Sequence, residues 1–137
     1  MKKKQLRHEH GAAVVEFALI AVLLFTIIFA IIEFGILLFD KHVLTNASRE
    51  GARAGVVMRA PRVSDTEIEN IVKDYAEEHM VTFDTPKTLA ITISPDEPTR
   101  NDPALSPFGT ELIVSVQYPF DFMFLSNLGL PTIELVD

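Results

Sequence analysis

Glu16 and Glu33 are the two side chains most able to take part in chemistry, because each is an acidic residue within an apolar run. Of the 28 residues from position 12 to position 39, all are hydrophobic except four: Glu16, Thr26, Glu33 and Gly35. A carboxylate at the centre of a membrane helix costs about 2.5–3.5 kcal/mol on insertion scales, and less near the interface. An acidic residue in such a segment therefore indicates a functional site by default.

Glu16 is placed to pair with an amine that only chain cleavage would create. A cut between Gly11 and Ala12 would leave an α-amino group four residues before Glu16, or about one helical turn. That ammonium could pair with the Glu16 carboxylate of a neighbouring copy and offset the burial of both charges. Alternatively, Glu16 lies in the headgroup region of an uncleaved anchor. Position alone leaves both readings open.

The element that positions both carboxylates is a helix over residues 12–39. At 1.5 Å per residue it is roughly 42 Å long, more than the roughly 30 Å hydrocarbon layer. A secretory signal has a shorter apolar region, followed by a small-x-small cleavage site, and none follows Phe39. A soluble core helix would need a larger protein around it. Lys2, Lys3, Lys4 and Arg7 favour a cytoplasmic N-terminus, so residues 40–137 are predicted outside the cytoplasm.

A strip of small and apolar residues continues this helix to about residue 60. Its members recur at intervals of three or four along one face: Val43, Ala47, Gly51, Gly55 and Met58. Each helical glycine costs about 1 kcal/mol relative to alanine, which favours close packing as the reason for Gly51 and Gly55. The packing partner is either a neighbouring helix or the sheet of the same domain.

The remaining residues predict a small α+β head. Ser64 and Glu67 match a capping box that begins a second, amphipathic helix over about residues 65–79. Period-two alternation predicts strands at about 88–94 and 110–118, within a small antiparallel sheet of two to three strands. The proline-rich residues between them predict an exposed loop of about 15 residues. Pro119 to Leu125 is apolar and either fills the core or forms a sticky surface.

Composition and motifs exclude several classes of function. A net charge of -7 argues against nucleic-acid binding, and the absence of cysteine excludes disulfides and thiolate zinc sites. No P-loop, nucleophile elbow, dinucleotide fingerprint or catalytic dyad is present in the sequence, so we expect no enzyme activity and no cofactor. Asp96, Glu97 and Asp102 could offer oxygen ligands to calcium, but they lack the spacing of a calcium loop.

Three sequence blocks resemble the TadE-like pseudopilin family of tight-adherence (Flp-type) type IV pilus systems. A lysine-rich leader with Gly11, four small or aliphatic residues, Glu16 and Phe17 resembles a prepilin processing site. Two later blocks keep the family's order and approximate spacing, namely residues 31–35 (IIEFG) and 46–53 (NASREGAR). Val22 stands where relatives commonly carry a proline, so a family kink is absent there.

The resemblance implies a leader of residues 1–11 that a prepilin peptidase removes between Gly11 and Ala12. It implies that Glu16 guides subunit docking and that Phe17 supports peptidase recognition or helix packing. A helix interface would draw on five further residues: Glu33, Gly35, Ala47, Gly51 and Gly55. Glu33 is expected near the outer membrane interface, about 26 Å along the helix from Glu16.

The implied partners are the peptidase, other pilin or pseudopilin subunits, the assembly platform and membrane lipid, with homo- or hetero-oligomers formed through the N-terminal helix. The implied location is a single-pass bacterial or archaeal cytoplasmic membrane, and the pilus after assembly. Two alternatives remain: an uncleaved single-span protein whose head binds a partner or ligand, and a pilus-tip adhesin.

Overall fold

A computed structural model describes residues 6–57, 61–81, 88–107 and 109–137, with side chains from Gly11 onward. The predicted α+β, pilin-like arrangement is confirmed: a long apolar helix, a second helix and a three-stranded antiparallel sheet packed on helix. The helices are α1 (Leu6–Val56), α2 (Asp65–His79) and α3 (Glu97–Asn101), with a short 3₁₀ helix at Leu125–Leu128. The strands are β1 (Ala90–Ser94), β2 (Ile113–Phe120) and β3 (Ile133–Val136).

Helix α1 has 51 residues and is therefore about 76 Å long. It is long and apolar enough to cross a membrane, and its most apolar window is not covered by the rest of the chain. The Thr26 hydroxyl donates to the Val22 carbonyl at 2.9 Å, so this polar group is satisfied inside its own helix. The helix was expected to reach about residue 60; it ends at Val56, and residues 58–60, including Met58 of the strip, lie outside the described residues.

The core lies where α2 covers the second half of α1 and one face of β2. Ser64 caps α2 by accepting a hydrogen bond from the Glu67 amide at 3.2 Å, as the capping box predicts. The buried face of α2 consists of Ile68, Val72 and Ala76. These side chains belong to one buried cluster with Leu44 of α1 and Val116 of β2. The head therefore has its own hydrophobic core, built partly on α1.

The sheet has the order β1-β2-β3 with antiparallel pairing throughout. Strand β1 begins two residues later than expected, and β2 runs from residue 113 to 120 in place of 110 to 118. Pro119 can lie in β2 because β1 pairs only as far as Gln117, which leaves one side of the proline without a strand neighbour. The third strand pairs Tyr118 with Leu135.

The segment between β1 and β2 differs from the exposed loop predicted for it. It contains α3, whose first turn accepts Pro98 because proline suits a helix start. Arg100 on α3 is 5% exposed and donates to the Val63 carbonyl at 2.9 Å. Its guanidinium also lies 2.8 Å from the Asp65 carboxylate. The arginine thus ties the loop to the start of α2.

The carboxylate of Asp137 fastens the end of β3 to α1. The hydroxyls of Ser48 and Thr45 donate to it at 2.6 and 2.9 Å, and the Lys41 ammonium lies 3.6 Å away. Burial alone raises the pKa of Asp137, but these hydrogen bonds and the positive charge of Lys41 outweigh it and hold the pKa below its ordinary value. Ionised Asp137 therefore stabilises the folded state.

Stability should accordingly fall in acid through Asp137. Because its folded-state pKa is depressed, its contribution is present above the unfolded value and is lost as pH falls through the folded value. We expect the melting temperature of Asp137→Asn in detergent to lie below that of the parent near pH 7, and the difference to shrink once the pH falls below about 3.9, the value of an unfolded Asp. Glu134→Gln, an exposed carboxylate on the same strand, is the matched control. A constant difference across pH would contradict this role.

Candidate functional site

The first part of α1 is a helix that the head leaves uncovered. Every residue from 11 to 20 is exposed, and Phe17 has 72% of its surface open. A side chain added at Gly11 would meet no other atom within 4 Å. Gly11, Ala12, Glu16 and Phe17 thus share one uninterrupted, accessible stretch of helix. A peptidase or a neighbouring helix could reach all four residues without displacing the head.

Ala12 and Glu16 lie four residues apart in α1 and so share one helical face. In the uncut chain the Ala12 nitrogen is a neutral amide, and Glu16 makes no hydrogen bond or ion pair with the described residues. Cleavage after Gly11 would turn that amide into an ammonium about 6 Å along the axis from the carboxylate. The arrangement can therefore supply one cation and one anion to a helix contact.

Glu33 is buried in a site that the head builds around it. Its side chain is 6% exposed, and its carboxylate accepts hydrogen bonds from the backbone amides of Phe124 and Leu125, the latter at 3.0 Å. Those amides begin the 3₁₀ helix, where backbone N–H groups have no partner within the helix itself. The hydrogen-bond partners of Glu33 thus lie in the same chain, and the head supplies them.

Two aromatic contacts flank this carboxylate. The rings of Phe29 and Phe124 have centroids 4.5 Å apart, and those of Phe34 and Phe122 are 5.6 Å apart. We call residues 122–130 the return segment, because it comes back from the sheet to lie along α1. Phe122 and Leu125 are buried whereas Met123 is exposed, so the apolar segment both fills the core and leaves an apolar surface. Glu33 and Phe124 are 91 positions apart in the sequence, and no local sequence pattern indicates this contact.

The small-residue strip packs within the same chain. A Cβ added at Gly51 would lie 2.5 Å from Val72 Cγ2, and one at Gly55 would lie 2.8 Å from Ile68 Cδ1. Ala47 is fully buried in the core. The packing partner lies in the same domain, as one of the two alternatives predicts, but α2 supplies much of the contact together with the sheet, whose Val114 lies 3.6 Å from a Cβ at Gly51. Gly35 differs, since a Cβ there would meet nothing within 4 Å, and its surface stays open to another helix.

Two of the three carboxylates considered for calcium accept hydrogen bonds from nearby backbone amides. Glu97 accepts from the Asp65 amide at 3.3 Å, and Asp102 accepts from the Ala104 amide at 2.8 Å. Asp96 precedes α3 as its N-cap residue. Among the residues that the structure describes, no group of three His, Cys, Asp or Glu side chains could hold a metal ion.

A cavity of about 350 Å³ lies between the end of α1 and the loop after α3. Its lining includes Gly55, Arg62, Arg100 and Leu112. Arg62 donates to the Arg100 carbonyl at 3.0 Å, and Arg100 is engaged with Asp65. Both guanidinium groups are therefore used within the fold, where they hold the loop in place.

Comparison with known proteins finds one family. Residues 11–53 match the sequence profile of the TadE-like protein family, which confirms the resemblance seen in the sequence. The matched region covers Gly11, Glu16, Glu33 and Gly51, and it ends before α2. No curated protein and no solved structure matches the chain.

Proposed function

This chain is TadE-like over residues 11–53, and from that premise we propose that it is a pseudopilin or minor pilin subunit of a tight-adherence (Flp-type) pilus. A prepilin peptidase removes residues 1–11, and the mature chain acts in pilus assembly or structure without enzyme activity. The observation that carries the proposal is that α1 has an exposed first part and a second part packed into the head. Its first part presents Gly11, Glu16 and Phe17 on an uncovered apolar helix, whereas its second part is built into the head.

Local unwinding of α1 at Gly11, which processing requires, should cost little free energy. A protease needs an unwound peptide, and glycine weakens a helix by about 1 kcal/mol relative to alanine. The side chains from 11 to 20 are all exposed, so unwinding there breaks no contact with the head. Cleavage removes four cations and one anion, which changes the net charge from -7 to -7 - 3 = -10.

The docking step uses the positive charge that processing creates at Ala12. The new ammonium at Ala12 pairs with Glu16 of a neighbouring subunit when apolar helices pack side by side. Both charges leave water at that point, so each needs the other to offset the cost of burial. The partners are the peptidase, other pilin or pseudopilin subunits, the assembly platform and lipid, with the head outside the cytoplasm.

Replacing Gly11 with leucine should abolish processing, because the peptidase would meet a bulky side chain on the cleaved bond. Intact-mass measurement and N-terminal sequencing of membrane-extracted protein check this. The parent should begin at Ala12, and the Gly11→Leu chain should keep its leader. Gly35→Leu is the control, because that glycine lies in the same helix with equally open surroundings.

Two outcomes would contradict the proposal. A parent chain that begins at Met1 in cells containing the peptidase would contradict the processing step. If Gly11→Leu also leaves pili unchanged, the uncleaved single-span anchor becomes the better account.

A further inference from the structure

The return segment carries an apolar surface without charge on an otherwise acidic protein. Residues 122–133 contain no Asp, Glu, Lys or Arg, although the chain as a whole has a net charge of -7. Met123 is 59% exposed and Leu128 is 57% exposed, and Phe124 and Leu130 are also partly open. A surface of this kind, attached to a membrane helix, needs an apolar environment to cover it.

The position of this surface along α1 sets its depth in a membrane. Phe29 touches Phe124, and Phe29 lies 17 residues, or about 26 Å, beyond Ala12. The hydrocarbon layer is about 30 Å thick. If α1 enters that layer near Ala12, Phe29 is still inside the outer leaflet. The return segment, which contacts α1 from Phe29 to Phe34, then lies at the outer edge of the hydrocarbon.

The backbone of the return segment is suited to such an environment, where an unpaired polar group is costly. The amides of Phe124 and Leu125 donate to Glu33. The amides of Asn127, Gly129 and Leu130 donate to carbonyls within the segment at 3.0–3.2 Å. The side chains of Ser126 and Asn127 donate to the Met123 carbonyl at 3.4 and 3.2 Å. Five amides of the segment thus have a partner within the protein, and the Ser126 hydroxyl and the Asn127 side-chain amide each donate one hydrogen bond inside the segment.

We propose that the return segment is a second lipid-contacting surface, which rests in the outer interfacial region of the membrane that α1 crosses. Its occupant is the acyl and glycerol region of the lipid, since the segment has no cation to recognise an anionic headgroup. Glu33 makes this contact compatible with the bilayer, because it accepts from two amides that would otherwise be left without a partner away from water. The inference depends on the membrane anchor and is independent of processing or of a pilus.

Single-tryptophan variants of the full chain test this directly, since the natural chain has no tryptophan. Met123→Trp and Leu128→Trp are reconstituted in phosphatidylcholine vesicles whose acyl chains carry bromine near the headgroup. We expect both to lose fluorescence to the brominated lipid and to emit at shorter wavelength than in denaturant. Leu23→Trp, in the apolar part of α1, is the positive control.

Leu105→Trp is the matched negative control, because Leu105 is 64% exposed and directly precedes Ser106, which lines the same cavity as Gly55. Gly55 is 26 residues, or about 39 Å, beyond Phe29 on α1. Quenching of both return-segment variants no stronger than that of Leu105→Trp overturns the proposal. Protection from brominated lipid together with protection from acrylamide also overturns it, because a second copy would then cover the surface. Gly11→Leu should leave the quenching unchanged, which separates this inference from the processing step.

Discussion

Replacing Glu33 with alanine is expected to release the return segment from α1 and to lower the free energy of unfolding by about 3 kcal/mol. The carboxylate accepts from two backbone amides, at Phe124 and Leu125, and the site is 6% exposed. Hydrogen bonds to a charged group contribute about 1.5–3 kcal/mol each, and an amide left buried without a partner adds its own penalty. Denaturant unfolding of the full chain in detergent measures the loss, and hydrogen exchange at Phe124 and Leu125 locates it.

Two further variants serve as comparisons for Glu33→Ala. One removes the charge of Glu33 but keeps an acceptor oxygen, and the other removes a carboxylate elsewhere in α1. Glu33→Gln keeps one acceptor oxygen and should lose about 1 kcal/mol. Glu16→Ala removes an exposed carboxylate from the same helix and should change stability by at most about 0.5 kcal/mol. If Glu33→Ala behaves like Glu16→Ala, the contact with the return segment does not support the fold. Normal pili from Glu33→Gln would assign Glu33 to the fold of the subunit and not to assembly.

Replacing Gly51 with leucine should destabilise the head by about 3 kcal/mol through overpacking. Even the first carbon of a side chain would lie 2.5 Å from Val72 Cγ2 and 3.3 Å from Ile68 Cγ2. Valine is stiff at χ1 and cannot turn away, so α1 and α2 must separate. Gly51→Ala should cost less, about 1 kcal/mol, because alanine recovers part of the loss through its helix propensity. Thermal and denaturant unfolding of the full chain in detergent provide the measurement.

Gly35→Ala is the control for Gly51 because both glycines lie inside α1 but only Gly51 is covered. A Cβ at Gly35 meets nothing within 4 Å, so alanine should be neutral or stabilise the chain by up to about 1 kcal/mol. Tolerance of leucine at Gly51 would show that α2 does not pack there. Loss of pili from Gly35→Ala with unchanged stability would instead place a neighbouring subunit at Gly35.

Much of the fold follows from local patterns that act over a few residues. The apolar run of residues 12–39 predicts a membrane helix because its length and hydropathy need no knowledge of the rest of the chain. Ser64 caps α2 because a capping box is a contact between residues three apart. Alternation placed β1 and β2 within a few residues of their observed ends. The short helix α3 was missed because prolines and acidic residues at its start are equally typical of a loop.

Part of the candidate site also follows from local sequence patterns, and part depends on contacts between distant residues. Gly11, Ala12, Glu16 and Phe17 form a local motif on an exposed helix, and the family match includes them. The spacing of Ala47, Gly51 and Gly55 predicts close packing, but two partners satisfy that pattern equally well. Only the position of Val72 and Ile68 against the glycines shows that the partner is the head of the same chain.

The sequence by itself determined a basic leader, an apolar helix long enough to span a membrane, and the two acidic residues that such a helix must accommodate. The tertiary structure alone decided how one of them is accommodated. Glu33 meets amides 91 and 92 residues away, and Arg100 meets the Val63 carbonyl 37 residues away. Such contacts leave no periodic signal, because a backbone amide or carbonyl is available at nearly every residue and only folding selects which one a buried charge meets.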